Sequence, residues 1–127
     1  MKALLDTHTF LWAISEQEKL SERAQQIYTG SHDLKLSVAS LWEALVKVKA
    51  GKLPLPRPAG PYLIGELKKN HIEVLPIKLD HVLRTETLPV YHRDPFDRIL
   101  IAQSLEESLP LITSDSMFKR YGVQVIW

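Results

Sequence analysis

Short apolar runs alternating with helix-patterned segments predict an α/β domain with a central, mostly parallel sheet covered on both faces. Two observations carry that expectation. The runs KALLD (2–6), LKLSV (34–38), IEVLPI (72–77) and PLITSD (110–115) are short and dominated by large aliphatic residues, as strands buried on two faces are. Between them lie stretches with helical spacing, as parallel strands require.

Each element has its own signals. KALLD reads as the first strand. THTFLWAISE follows as a helix with Phe10, Leu11 and Ile14 on one face. SERAQQIYTG (21–30) reads as a short helix, Ser21 its cap and Gly30 its stop. LKLSV is the second strand and leads into the helix SLWEALVKVKAGK, with Leu41, Leu45 and Val48 in helical register. LPLPRPAG (53–60) holds three prolines and reads as an extended connector. GPYLIGELKKNH is a helix, IEVLPI a strand, and LDHVLRTETLP a short helix stopped before Pro89. HRDPFDRILIAQ (92–103) opens a long helix reaching about Ser108, with Asp94 as N-cap and Pro95 in the first helical position. PLITSD, one or two turns over SMFKRYG, and a closing strand in VQVIW complete the chain, giving about five strands.

The 127 residues contain no internal repeat, low-complexity tract or long linker, which predicts a single domain over 1–127. Apolar residues make up 45% and charged residues 24%, an ordinary globular balance. A formal net charge of +1 leaves nucleic-acid binding to a local patch. With no cysteine, disulfides, thiolate zinc sites and cysteine nucleophiles are excluded. MKALLDTHTFLWAIS places Asp6 and His8 inside its apolar stretch, unlike a signal peptide, and no stretch reaches the ~20 apolar residues of a membrane helix. The expectation is a soluble cytoplasmic protein.

Right-handed crossovers bring the C-terminal end of every strand, and the start of the helix leaving it, to one edge of the sheet, where ligands of open α/β sheets bind. Four carboxylates fall there. Asp6 ends the first strand, Glu43 sits early in the helix after the second, Asp97 lies in the first turn of the long helix, and Asp115 follows the fourth strand. Each has a bland reading. Asp6, Asp97 and Asp115 suit helix starts, and Ser40 with Glu43 forms a capping box unless Ser37 is the cap. Jointly they conflict: a helix N-terminus favours one carboxylate by only about 0.3–1 kcal/mol, and crowded carboxylates repel until one takes up a proton. A divalent cation relieves the conflict. Oxygen ligands without cysteine or paired histidines point to Mg²⁺ or Mn²⁺, and such a site suits phosphodiester hydrolysis.

DTHTFLW (6–12), SLWE (40–43), HRDPFDRILIAQ (92–103) and ITSD (112–115) resemble the PIN-domain nucleases and, more narrowly, the VapC-type toxins of toxin–antitoxin pairs. The resemblance implies a three-layer α/β/α sandwich and a metal-dependent endoribonuclease using Mg²⁺ or Mn²⁺. It places Asp6, Glu43, Asp97 and Asp115 in the metal-binding and water-activating positions. Thr7, Asp94, Thr113 and Ser114 become supporting neighbours, with Asp94 either an additional acid or simply a cap. It also implies an RNA substrate, inhibition of translation, neutralisation by a VapB-type antitoxin, and a homodimer.

Arg98 has two readings: a hold on RNA phosphate or a pair with a carboxylate. Arg93 reads more weakly as a phosphate contact. His8, His32, His71, His81 and His92 form no metal-spaced pair and read first as structural, with His8 and His92 near the acidic edge. KVKAGK (47–52) is a solvated helix end or part of an RNA track. Trp12 and Trp42 read as core or rim, and the Leu53, Leu55 and Tyr62 region as core or as a partner groove. The competing functions are a non-catalytic binding module on the same fold and a receiver-like phosphoacceptor. The latter lacks an aspartate after LKLSV. A phosphatase would need a second aspartate that DTHT lacks.

Overall fold

The computed structural model of the protein describes residues 1–30 and 33–127; His32 therefore lies outside the described residues. Five parallel strands, β1 (Lys2–Leu5), β2 (Asp33–Ser37), β3 (Glu73–Leu75), β4 (Leu111–Ile112) and β5 (Val125–Ile126), stand in the order β3-β2-β1-β4-β5. Among the described residues, six helices flank them: α1 (Thr7–Ser15), α2 (Glu22–Thr29), α3 (Val38–Lys49), α4 (Ala59–Lys69), α5 (Leu79–Arg84) and α6 (Pro95–Glu107). Short 3-10 segments cover Gln17–Lys19, Thr85–Thr87 and Ser116–Tyr121.

Successive side chains in β1 and β4 face opposite layers. Ala3, Leu5 and Ile112 join a core with Phe10, Leu36, Leu63 and Leu67; Leu4 and Leu111 join another with Leu100, Ile101 and Phe118. Both faces of the sheet are therefore covered, as the aliphatic runs predict. The strands are shorter than those runs. Asp6 and Val38 leave their strands to begin helices, and only Leu111 and Ile112 of PLITSD pair on both sides. Pro110 has no N–H to give the ladder.

Local capping decides several starts. Ser21 accepts from the Ala24 N–H at 3.0 Å. Ser37 accepts from the Ala39 N–H at 3.0 Å, so it, not Ser40, caps α3. Asp94 accepts from Phe96 at 2.8 Å and Pro95 fills the first turn of α6. Ser108 ends α6 in the left-handed region at φ 53°. The sheet order reverses direction beside β1: β2 and β3 build out on one side, β4 and β5 on the other. The crevice beyond the ends of β1 and β4 is thus the expected ligand position.

Candidate active site

That crevice is tied together by hydroxyls and backbone. The Asp6 N–H donates to the Ile112 carbonyl at 3.1 Å and the Thr9 hydroxyl to the same carbonyl at 2.9 Å. Thr113 donates its hydroxyl to Asp6 Oδ2 at 2.8 Å and accepts from the Asp115 N–H at 3.1 Å. Thr7 donates to Ser40 Oγ at 2.8 Å, which joins the starts of α1 and α3 beneath the acids. Ser40, lost as a cap, thus holds the two helices in place. Ser114 is exposed.

Asp6 and Glu43 are both buried, at 6% and 3% exposure. Burial raises the Asp6 carboxyl above its usual range and Glu43 adds repulsion, while the Thr113 hydrogen bond and His8 partly offset them. Lys47 Nζ lies 2.8 Å from Glu43 Oε2, one helical turn away, but Glu43 Oε1 is buried with no hydrogen-bond partner. Asp97, in the first turn of α6, is pushed up to about 7 by burial, then by Asp94, Asp6 and Glu43, against a lowering by His92. Three elements therefore deliver Asp6, Glu43 and Asp97 to one electrostatic neighbourhood, with Asp94 at its edge.

Asp115 is held differently. It is exposed, its Oδ1 accepts from the Met117 N–H at 2.9 Å, and its Oδ2 meets His92 Nε2 at 2.9 Å. It joins the cluster through Thr113, which its backbone shares with Asp6.

Arg98 takes neither role anticipated for it. Nη1 donates to the carbonyls of Pro89 and His92 at 2.9 and 3.1 Å, and Nη2 to those of Thr85 and Leu88 at 3.0 and 3.1 Å. A planar fork fitted to four carbonyls of one loop is a structural clamp. Trp42 is 62% exposed rather than core, set edge-on to Phe96 at 5.1 Å. Leu53, Leu55, Tyr62 and Trp12 pack against the core. The exposed Arg93 lines a cavity of about 480 Å³ with Glu43, Lys47, Asp94 and Phe96.

Another histidine sits in a cluster that the sequence does not single out. Among the described residues, the three ligand-type side chains with donor atoms within 4.8 Å of one another are Asp80, His81 and Glu107. This group lies between α5 and the far end of α6. His81 is fully buried; its Nδ1 accepts from the Lys78 N–H at 3.0 Å, so Nε2 carries the hydrogen facing Glu107 at 3.1 Å. Both ring nitrogens are satisfied, which makes it a core histidine. No three of the acids Asp6, Glu43, Asp97 and Asp115 bring their oxygens within 4.8 Å of one another.

The PIN-domain family model matches residues 3–124. The chain belongs to the PIN-domain family. No curated protein matches it by sequence. Its PIN fold is similar to that of a chain of VapBC2 from Rickettsia felis, solved bound to a DNA fragment from their promoter, with TM-score 0.72 and 14% identity over 99% of this chain and 98% of that one. A toxin–antitoxin complex from Klebsiella pneumoniae gives 0.67 and 18%, covering 98% and 96%. FitAcB from Neisseria gonorrhoeae gives 0.65 and 21%, covering 100% and 97%. These likenesses establish the fold along the whole chain.

Proposed function

We propose that this PIN domain is a metal-dependent endoribonuclease of the VapC type, a toxin held in check by a cognate antitoxin. One observation carries the reading. Asp6, Glu43 and Asp97 are gathered into partial burial with more negative charge than their surroundings neutralise, so that Asp97 rises to about 7 and Glu43 Oε1 is left without a partner. A divalent cation held among them would offset that charge and draw the proton from Asp97.

The donor set fits Mg²⁺ or Mn²⁺: carboxylate oxygens, one of them buried and unpartnered, with no thiolate and no pair of histidines among the acids to select zinc. Asp6, Glu43, Asp97 and Asp115 would hold it, and when bound it would supply an activated water and a Lewis acid for the phosphate. Thr113 fixes the Asp6 carboxylate so that Oδ1 remains to ligate. An ionised Asp97 would orient the attacking water and accept its proton. Lys47 and Arg93, lining the cavity beside Glu43, would hold RNA phosphates there.

The toxin–antitoxin complexes among the solved relatives support a VapB-type partner. A groove of about 480 Å³ beside His8, lined by Leu11, Trp12, Leu53 and Leu55, suits an apolar antitoxin segment reaching the acids. Trp42, Val82 and Leu83, at 62, 49 and 59% exposure, offer apolar surface for a homodimer. No helix among the described residues is long and apolar enough to cross a membrane. In this reading the toxin acts on cytoplasmic RNA and inhibits translation.

The test is incubation of purified protein with total cellular RNA and Mn²⁺ or Mg²⁺, beside EDTA and Asp97→Asn controls. Discrete products that vanish with EDTA and in the variant support the reading. Intact RNA with an antitoxin-free, folded protein would favour a binding module on a PIN fold.

A further inference from the structure

We propose that His92 is a positioning residue for Asp115, holding its carboxylate in the one orientation in which it completes the metal site; the inference rests on the nuclease reading above. Asp115 needs such a hold. Its side chain is 45% exposed and stands at the start of a 3-10 segment, where a single cap bond from Met117 leaves the carboxylate free to turn. His92 supplies the second point of attachment, Nε2 to Oδ2 at 2.9 Å. A carboxylate only accepts, so Nε2 carries the hydrogen. Each Asp115 oxygen then keeps a lone pair for a cation or its water.

The imidazole itself is fixed from several sides. Its side chain is 10% exposed and its ring stacks on Phe118 at 4.6 Å between centroids. The His92 carbonyl is gripped by Arg98 at 3.1 Å, and the His92 N–H donates to the Tyr121 hydroxyl. A ring so placed could be an aromatic filler, but the remaining nitrogen argues otherwise. Nδ1 is buried without a partner, a penalty that a phenyl ring in the same slot would avoid. The ring also acts electrostatically on Asp97 from α6. His92 therefore stands between two acids from different elements and sets the geometry of one of them.

The experiment is direct Mn²⁺ binding, followed by electron paramagnetic resonance, to the full-length wild type and to His92→Phe, His92→Gln, Asp115→Asn and the His92→Phe/Asp115→Asn pair. His92→Phe keeps the stack on Phe118, so its melting temperature should stay close to wild type. Its Kd for Mn²⁺ should rise about 10-fold or more, the usual loss when a ligand's orienting partner is removed. His92→Gln, which retains an N–H donor, should recover most of that loss, and His92→Phe should cost little further in the Asp115→Asn background. Wild-type Mn²⁺ affinity in His92→Phe, or an equal loss with and without Asp115, would overturn the positioning role. RNA cleavage run in parallel separates the two ideas. Metal-dependent cleavage untouched in His92→Phe would leave the nuclease and remove the positioning; His92-dependent Mn²⁺ binding without any cleavage would do the reverse. A wild type that binds no Mn²⁺ would overturn both.

Discussion

Asp97 connects charge to stability most directly. Its folded value of about 7 stands above the ordinary 3.8, so between those values the folded chain keeps a proton that the unfolded chain has released. The contribution of Asp97 to metal-free stability is therefore full below about pH 4, is lost as pH rises towards 7, and stays absent above it. The whole elevation would correspond to about 4 kcal/mol, but the carboxyl still meets solvent, and screening reduces this to roughly 1–2 kcal/mol. Asp97→Asn should accordingly abolish cleavage yet raise the metal-free melting temperature at pH 8 by roughly 4–8 °C. Differential scanning fluorimetry in EDTA checks this, and an unchanged or lower melting temperature would contradict it. Thr113 works in the opposite direction, because its hydrogen bond stabilises the ionised form of Asp6. Thr113→Val keeps the shape and should lower metal affinity by about tenfold, measured by Mn²⁺ titration.

At the scale of elements, the start of α6 and the loop before it form one unit. Arg98 reaches back from the first turns of α6 to the carbonyls of Thr85, Leu88, Pro89 and His92. Arg98→Met retains the aliphatic stem and abandons four acceptors, and should cost about 2–4 kcal/mol in urea denaturation, since hydrogen bonds to charged groups contribute more than neutral ones. Loss of under about 0.5 kcal/mol would show that the loop satisfies itself. This clamp was not legible in the sequence. An arginine beside two aspartates reads as a charge partner, and carbonyl acceptors carry no side-chain signature. The strand and helix order was legible, because the aliphatic runs and the caps Ser21 and Asp94 are local signals. Strand lengths and the choice between Ser37 and Ser40 depend on which neighbour pairs with them. His92 was placed near the edge by its position, but its bond to Asp115 needs the fold. The choice between core and rim for Trp42 needs the fold, because an aromatic residue in helical register carries no mark of which face is covered.

The molecule as a whole is a two-faced sheet whose reversal beside β1 creates the crevice, and whose acids crowd negative charge around Asp97 there. Ligand binding to the folded state alone stabilises it, so 100 Kd of Mn²⁺ should add about 2.7 kcal/mol at pH 8; a melting curve indifferent to Mn²⁺ would contradict a site at the crevice. The exposed Val82 and Leu83 on α5 predict a solution mass twice the 14.5 kDa of the chain, measured by light scattering, with Leu83→Glu shifting it to monomer. The most direct measurement is cleavage of an end-labelled single-stranded RNA by wild type and Glu43→Gln across a Mn²⁺ titration. The account predicts saturable, EDTA-sensitive cleavage by the wild type and at least a 100-fold loss in Glu43→Gln at every Mn²⁺ concentration, in line with removal of a charge that stabilises the transition state. Equal cleavage by the two proteins, or cleavage indifferent to EDTA, would contradict it.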